Sequence, residues 1–280
     1  MADTAFQKAY RQEFVSAFEY GMSMLRASVI TDAVVKGNEA VFLVAGTGGA
    51  EAVTRGVNGM IPARADDLTQ YTATLAEWHD KPRRTNFNIF ASQGDGRRIM
   101  QQGTVKVLNR KIDAEIIEQL DTATYSTGSA VTASLNLVAK AVAILGNAEV
   151  DIQEEDNMFG LISPAFHAYL MQVPEFTKAD YVDVKPFNGP SRRYRRWYGI
   201  NWMVHPRVTG VGTSSESCYL YHRNAVGYAA NTGDMSVMAG YNEEDDYYWA
   251  RSSIFMGSKM LQQSGVVKMV HDGSAYVATT

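Results

Sequence analysis

The chain has 280 residues, 46% hydrophobic, 20% charged and 11% aromatic, with a formal net charge of -4. That length holds one large domain or two ordinary ones, and the mix of apolar and charged residues excludes an intrinsically disordered chain. The negative balance gives no general attraction to phosphate and argues against tight sequence-reading of DNA, which needs clustered lysine and arginine.

From the N-terminus, Phe6, Tyr10, Phe14, Phe18, Met22 and Leu25 recur at spacings of four and three, which stacks them on one stripe of a helix. Thr4 and Gln7 have the spacing of a capping box. Such a stripe packs on its own core or docks on another copy, and the sequence leaves both open. Charges throughout "MADTAFQKAYRQEF" are unlike a secretory signal. No window approaches the roughly 18 uninterrupted apolar residues of a membrane span, so a soluble protein is expected.

The run "EAVFLVA" predicts a strand, and "DLTQYTATLAEW" predicts its partner. Between them "VAGTGGAEAVTRGVNGMIPAR" carries glycines at 46, 48, 49, 56 and 59. Residues 39–78 thus read as a hairpin arm whose legs, about 15 residues each at ~3.3 Å per residue, reach on the order of 50 Å. A two-stranded arm is marginal by itself and needs support from elsewhere.

"TNFNIF" predicts another strand, which "SQGDG" ends. Residues 97–121 predict a long helix with Val105, Leu108, Ile112, Ile116 and Leu120 on one side. A second helix is predicted over residues 132–145, opened by "STGS" and closed by Gly146 and Asn147. "MFGLIS" leads as a strand into "PAFHAYLMQ", a helix with Pro164 at its first position. "RRYRRWYGINWMVHPRV" and "ESCYLYHRNAVGYAA" follow. The tail "DMSVMAGYNEEDDYYWARSSIFMGSKMLQQSGVVKMV" gives two strands around an acidic turn and a short apolar strand. The fold class is mixed α+β.

Catalytic signals are absent from this order of residues. No Gly-Lys pair exists for a Walker loop, and the pairs Gly46/Gly48, Gly94/Gly96 and Gly210/Gly212 are followed by Glu51, Ile99 and Ser215 where a dinucleotide loop needs glycine. His79, His167, His205, His222 and His271 lack metal-ligand spacing, and the single Cys218 reads as a small buried hydrophobe. No GxSxG elbow occurs, which leaves only a triad assembled from distant residues. Four adjacent acids, Glu243, Glu244, Asp245 and Asp246, read as a solvated turn rather than a calcium loop. No cofactor, metal ligand or catalytic residue is predicted. In "SRRYRRW", Arg192, Arg193, Arg195 and Arg196 fall on both faces of a strand, which favours a charged edge or intersubunit salt bridges over nucleic acid.

The order of parts carries the remaining information: aromatic arm, glycine-tipped hairpin, strand, long helix, α/β middle, strand pair with acidic turn, last short strand. It resembles the major capsid proteins of tailed bacteriophages, the Hong Kong 97-type fold, over nearly the whole chain. "LISPAFHAYL" is similar to that family's strand, serine-proline and helix, and the closing "GVVKMV" segment is similar to its last strand. The resemblance implies an N-terminal arm over residues 1–37, an extended loop over 38–77, a peripheral domain over 78–125 and 233–280 with a spine helix, and an axial domain over 126–232.

It further implies a shell of hexamers and pentamers of this chain around double-stranded DNA held without sequence-specific binding. Portal and separate scaffolding proteins are the implied partners, with room for a decoration protein and no membrane. The implied location is the virion, after assembly in the host cytoplasm. Residues 39–77 contain no lysine, so the covalent loop linkage of some relatives is not expected. The arm begins within a few residues of Met1, so a scaffold is expected as a separate protein. Expected subunit contacts are Phe6, Tyr10 and Phe14 on the arm, and Gly46, Gly48, Gly49, Met60, Ile61 and Pro62 on the hairpin. Glu77, Asp80, Arg83 and Arg84 are expected to form salt bridges between capsomers, with Arg192, Arg193, Arg195 and Arg196 as further contacts. Two alternatives stay open: an encapsulin-like compartment shell, and a hydrolase with a dispersed active site.

Overall fold

The computed structural model describes residues 22–31, 34–47, 49–64, 67–86, 96–154, 156–174, 195–230 and 236–276. Phe6, Tyr10, Phe14, Gly48, Arg192 and Arg193 lie outside the described residues, as does most of "TNFNIF". The strands in chain order are β1 (Val34–Lys36), β2 (Glu39–Gly46), β3 (Asp67–Thr74), β4 (Ala76–Asp80), β5 (Arg83–Thr85), β6 (Tyr125–Ser126) and β7 (Met158–Ile162). They continue with β8 (Arg195–Trp197), β9 (Ile200–Val204), β10 (Glu216–His222), β11 (Val226–Ala230), β12 (Ser236–Asn242), β13 (Tyr247–Met260) and β14 (Val266–His271). The helices are α1 (Gly96–Asp121), α2 (Leu135–Asn147) and α3 (Pro164–Leu170). The chain divides into two compact units, one including Ala76–Asp113 and Ala230–Met256, the other Met24–Leu75, Ala114–Ala229 and Gly257–Thr280.

The second unit is built on a six-stranded sheet in the order β6-β14-β10-β7-β9-β8. β10 pairs antiparallel with β14 and β7, whereas β7 and β9 run parallel. A parallel neighbour requires a crossover, and α3 lies in the connection that makes it. All five residues of β7 are buried, as expected for a central strand covered on both faces. Leu137, Val138, Ala141 and Leu145 of α2 pack in one cluster with Leu220, Val267, Met269, Trp202 and Phe166. The Val, Leu, Met and Phe side chains among them each contribute about 1.5 to 3 kcal/mol when removed from water.

α2 starts at Leu135, three residues later than the sequence predicts. Ser134, in extended backbone, accepts a hydrogen bond from the Leu137 N–H at 3.4 Å and caps the helix there, and Val131 is held in a bridge to His271. α3 starts as predicted: Pro164 stands in its first turn, and Ser163 accepts from the Phe166 N–H at 3.1 Å.

The predicted hairpin is real but shorter. β2 and β3 pair from Glu39↔Thr74 to Gly46↔Asp67, a ladder of roughly 25 Å at ~3.3 Å per residue, and β1 adds a third strand beside β2. The second leg does not run through to Trp78. It ends where the Leu75 N–H bonds back to the Asn38 carbonyl at 2.7 Å, and the next strand, β4, joins a different sheet.

That sheet belongs to the first unit, where β12, β4 and β5 all pair with β13. Its inner face carries the buried Ala250, Ser252 and Ile254 and meets α1, where the Thr104 and Ser252 hydroxyls lie 2.7 Å apart. On α1, Met100, Thr104, Leu108 and Ile112 are buried, so among the described residues the buried stripe begins at Met100, ahead of the predicted Val105, which is half-buried.

Candidate functional site

Two surfaces stand out, and neither is a pocket. The first is the hairpin. Its root is anchored: Ala40, Phe42, Ala73, Ala229 and Leu261 form one buried cluster, joined by Tyr71 and Val44. Gly227 makes this possible, because a Cβ there would lie 2.7 Å from the Phe42 ring. Strand alternation then sends Leu43 and Leu68 to the opposite face, where they are 78% and 72% exposed.

Beyond the ladder, residues 51–64 have no regular secondary structure and are all exposed. They are shaped at the tip by a turn in which the Gly56 N–H donates to the Met60 carbonyl at 3.1 Å, with Gly59 at a positive φ of 71°. Val53, Val57, Met60 and Ile61 all face solvent there. The expected hairpin contacts Met60, Ile61 and Pro62 are therefore exposed, as are Gly46 and Gly49.

The second surface is the outer face of the β12–β13–β5 sheet. Register places Met238, Gly240, Trp249, Arg251 and Arg83 on this face. The Trp249 ring fills the space left by Gly240, where a Cβ would lie 2.6 Å from it. Lys81 sits over the Trp249 ring at 5.1 Å and Arg83 over the Tyr247 ring at 5.0 Å, both cation–π contacts. Arg251 reaches the Met238 sulfur at 3.5 Å.

The expected cluster of Glu77, Asp80, Arg83 and Arg84 is not one surface. β4 alternates, so Glu77 pairs opposite Phe255 on the outer face and Asp80 opposite Ser252 on the inner face. The Glu77 carboxylate lies 2.7 Å from the His79 Nε2. Burial raises the Asp80 carboxyl above its ordinary range, against the opposing pull of Arg110. Arg84 stands opposite Tyr248, one residue out of phase with Arg83, and is half-buried. Of the arginine cluster, Arg195 is opposite Trp202 on β9. Arg196 is bonded to Asp156 and donates to the Asn201 Oδ1 at 3.1 Å.

Sequence reasoning missed Lys81, Arg251, Trp249 and Tyr247 as parts of one face. The alternation 247, 249, 251 was readable, but the pairing that brings Lys81 and Arg83 beside it was not. It also read His271 as isolated. The structure buries it, with its Nδ1 3.3 Å from a carboxylate oxygen of the equally buried Glu216. Cys218 is buried, and burial pushes its thiol up to about 12, which suits the expected inert role. Among the described residues no group of three or more His, Cys, Asp and Glu is placed to hold a metal ion. Among them, too, no helix is long and apolar enough to cross a membrane.

The comparisons with known proteins concern the family and the fold. A family model described as phage capsid protein matches residues 2–272. No curated protein matches the chain. Among solved structures, one of Mycobacterium phage Che8 aligns with a TM-score of 0.73 and 15% identity, over 98% of this chain and 99% of that one. The capsid of Ralstonia phage GP4 gives 0.71 and 12%, over 99% and 98%. The capsid of a native GTA particle gives 0.69 and 12%, over 94% of each chain. At such identities these structures establish the fold, which is the Hong Kong 97-type capsid fold expected from the order of parts. The chain belongs to the phage capsid protein family, as a major capsid protein that forms the head shell of the virion.

Proposed function

We propose that copies of this chain form hexameric and pentameric rings in which each hairpin lies across the neighbouring copy, closing an icosahedral shell around double-stranded DNA. The observation that carries this reading is the contrast within the hairpin itself: a root fixed by Phe42 and a tip whose Val57, Met60 and Ile61 face solvent. Exposed apolar side chains clustered on one protruding element mark a protein contact surface, and the outward Leu43 and Leu68 extend it along the ladder.

In this reading residues 38–77 are the extended loop, 78–125 and 233–280 the peripheral domain and 126–232 the axial domain. Residues 1–37 form an arm carrying Phe6, Tyr10 and Phe14 to a neighbour. The net charge of -4 suits a container whose DNA must leave again, since many lysine and arginine contacts would hold it. Portal, scaffolding and decoration proteins are partners of the same scheme, and the host cytoplasm is where assembly takes place. The structural role needs no catalytic residue.

The test is electron microscopy of the full chain and of Ile61→Asp. Uniform closed particles from the wild type and none from the variant, whose circular dichroism is unchanged, support the hairpin contact. Normal particles from Ile61→Asp would remove it.

A further inference from the structure

The outer face of the first unit's sheet holds cations whose contacts are all with uncharged groups. Lys81 rests on Trp249, Arg83 on Tyr247, and Arg251 on the Met238 sulfur. Among the described residues none of the three is within ion-pair distance of a carboxylate. Glu77, the acid on the same face, is taken by His79.

The same strand pair ends in the complementary charge. Residues 243–246 connect β12 to β13, and all four carboxylates are exposed. Asp246 accepts from the Tyr241 hydroxyl, while Glu243, Glu244 and Asp245 form no ion pair among the described residues. The turn is also held in shape. The Asn242 side-chain oxygen accepts from the Glu244 and Asp245 N–H groups at 2.9 and 3.3 Å, so the carboxylates are presented on a fixed loop.

We propose that the Lys81, Arg83 and Arg251 face receives the acidic turn, residues 243–246, of a second copy of the chain. Each copy would carry both halves of the contact, a head-to-tail arrangement that closes when repeated around a ring or shell. The aromatic rings have a further role here: Trp249 and Tyr247 hold the cations by their stems and ring faces, which reduces the freedom lost on pairing. This inference rests on the shell reading, because it requires a second copy of the chain.

The test is charge exchange in the full chain, read as particle yield on a density gradient and by microscopy. Arg83→Glu with Arg251→Glu, and separately Glu244→Lys with Asp245→Lys, should each lower yield by about tenfold or more at moderate salt. The four changes combined should restore most of it, because every copy then again carries two complementary halves. Neutral Arg83→Gln with Arg251→Gln guards against misfolding and should give an intermediate loss. A combined variant no better than either parent overturns the pairing. So does loss from the arginine changes with none from the turn changes, which would assign the face to another polyanion such as DNA. Wild-type chain that forms no particles at all would instead remove the shell reading.

Discussion

The hairpin β2–β3 and the strand pair β12–β13 are both antiparallel ribbons, yet they divide their side chains in opposite ways. The hairpin buries Phe42 and Ala40 at its root and leaves Leu43, Leu68, Met60 and Ile61 to solvent. The strand pair buries Ala250 and Ser252 beneath it, and on its outer face Lys81 and Arg83 rest on the rings of Trp249 and Tyr247 and Arg251 on the Met238 sulfur. Apolar contact is non-directional and scales with area. Charge contact is weak per pair but punishes wrong neighbours. A shell that must grip in more than one ring geometry and still choose its register can use the first for affinity and the second for selection.

The largest expected effect breaks the anchored half of that comparison. Phe42→Ala removes a ring that is 2% exposed and should cost about 3 to 5 kcal/mol, seen as a lower denaturant midpoint, with the hairpin released from its root. An unchanged midpoint would mean that the root is not what holds the arm. Next comes Gly240→Ala on the other ribbon, where the new Cβ would lie 2.6 Å from the Trp249 ring. The ring must swing outward and uncouple from Lys81, at about 1 to 3 kcal/mol, with a red shift of tryptophan fluorescence as the check.

These two positions also show what the sequence could and could not reveal. Periodicity and caps were legible: α1 ends where its apolar stripe ends, and Ser163-Pro164 opens α3 as its letters say. The hairpin was legible as a ribbon because β-branched runs flanked glycines. Its true length was not, because the bond from Leu75 to Asn38 and the transfer of β4 to another sheet depend on long-range pairing. Gly227 and Gly240 look like ordinary strand glycines until the rings of Phe42 and Trp249 are seen to occupy their missing Cβ. Glu77 and Asp80 share a strand, but their alternation was overlooked, and with it their opposite faces.

A smaller effect, confined to acid, concerns the buried Glu216 and His271. Burial holds the His271 imidazole below its ordinary range, with Glu216 and Asp272 pulling the other way. The folded protein therefore binds this proton more weakly than the unfolded chain does. Stability from this group is present above the ordinary histidine value of about 6.5 and falls as pH falls through it. Burial shifts His222 in the same direction, so both must be replaced to separate them. His271→Gln should flatten the decline in melting temperature toward acid more than His222→Gln does. Parallel curves for the wild type and His271→Gln would show that the buried pair does not govern the acid limb.

The smallest effect sharpens the comparison most. Arg83 is exposed and touches a ring 5.0 Å away, so Arg83→Ala removes only an exposed cation–π contact, about 0.5 to 1 kcal/mol of monomer stability. If the outer face selects register, the same change should lower particle yield most at low salt and make it fall less steeply with rising salt than in the wild type, because fewer charge pairs remain to be screened. The hairpin variant Ile61→Asp should behave differently, losing particles at every salt concentration because it removes apolar area. Two variants with nearly native monomers, one whose deficit fades as salt rises and one whose deficit persists, would separate grip from register. Identical salt responses would mean that both ribbons contribute the same kind of contact, and the division of labour between them would fail.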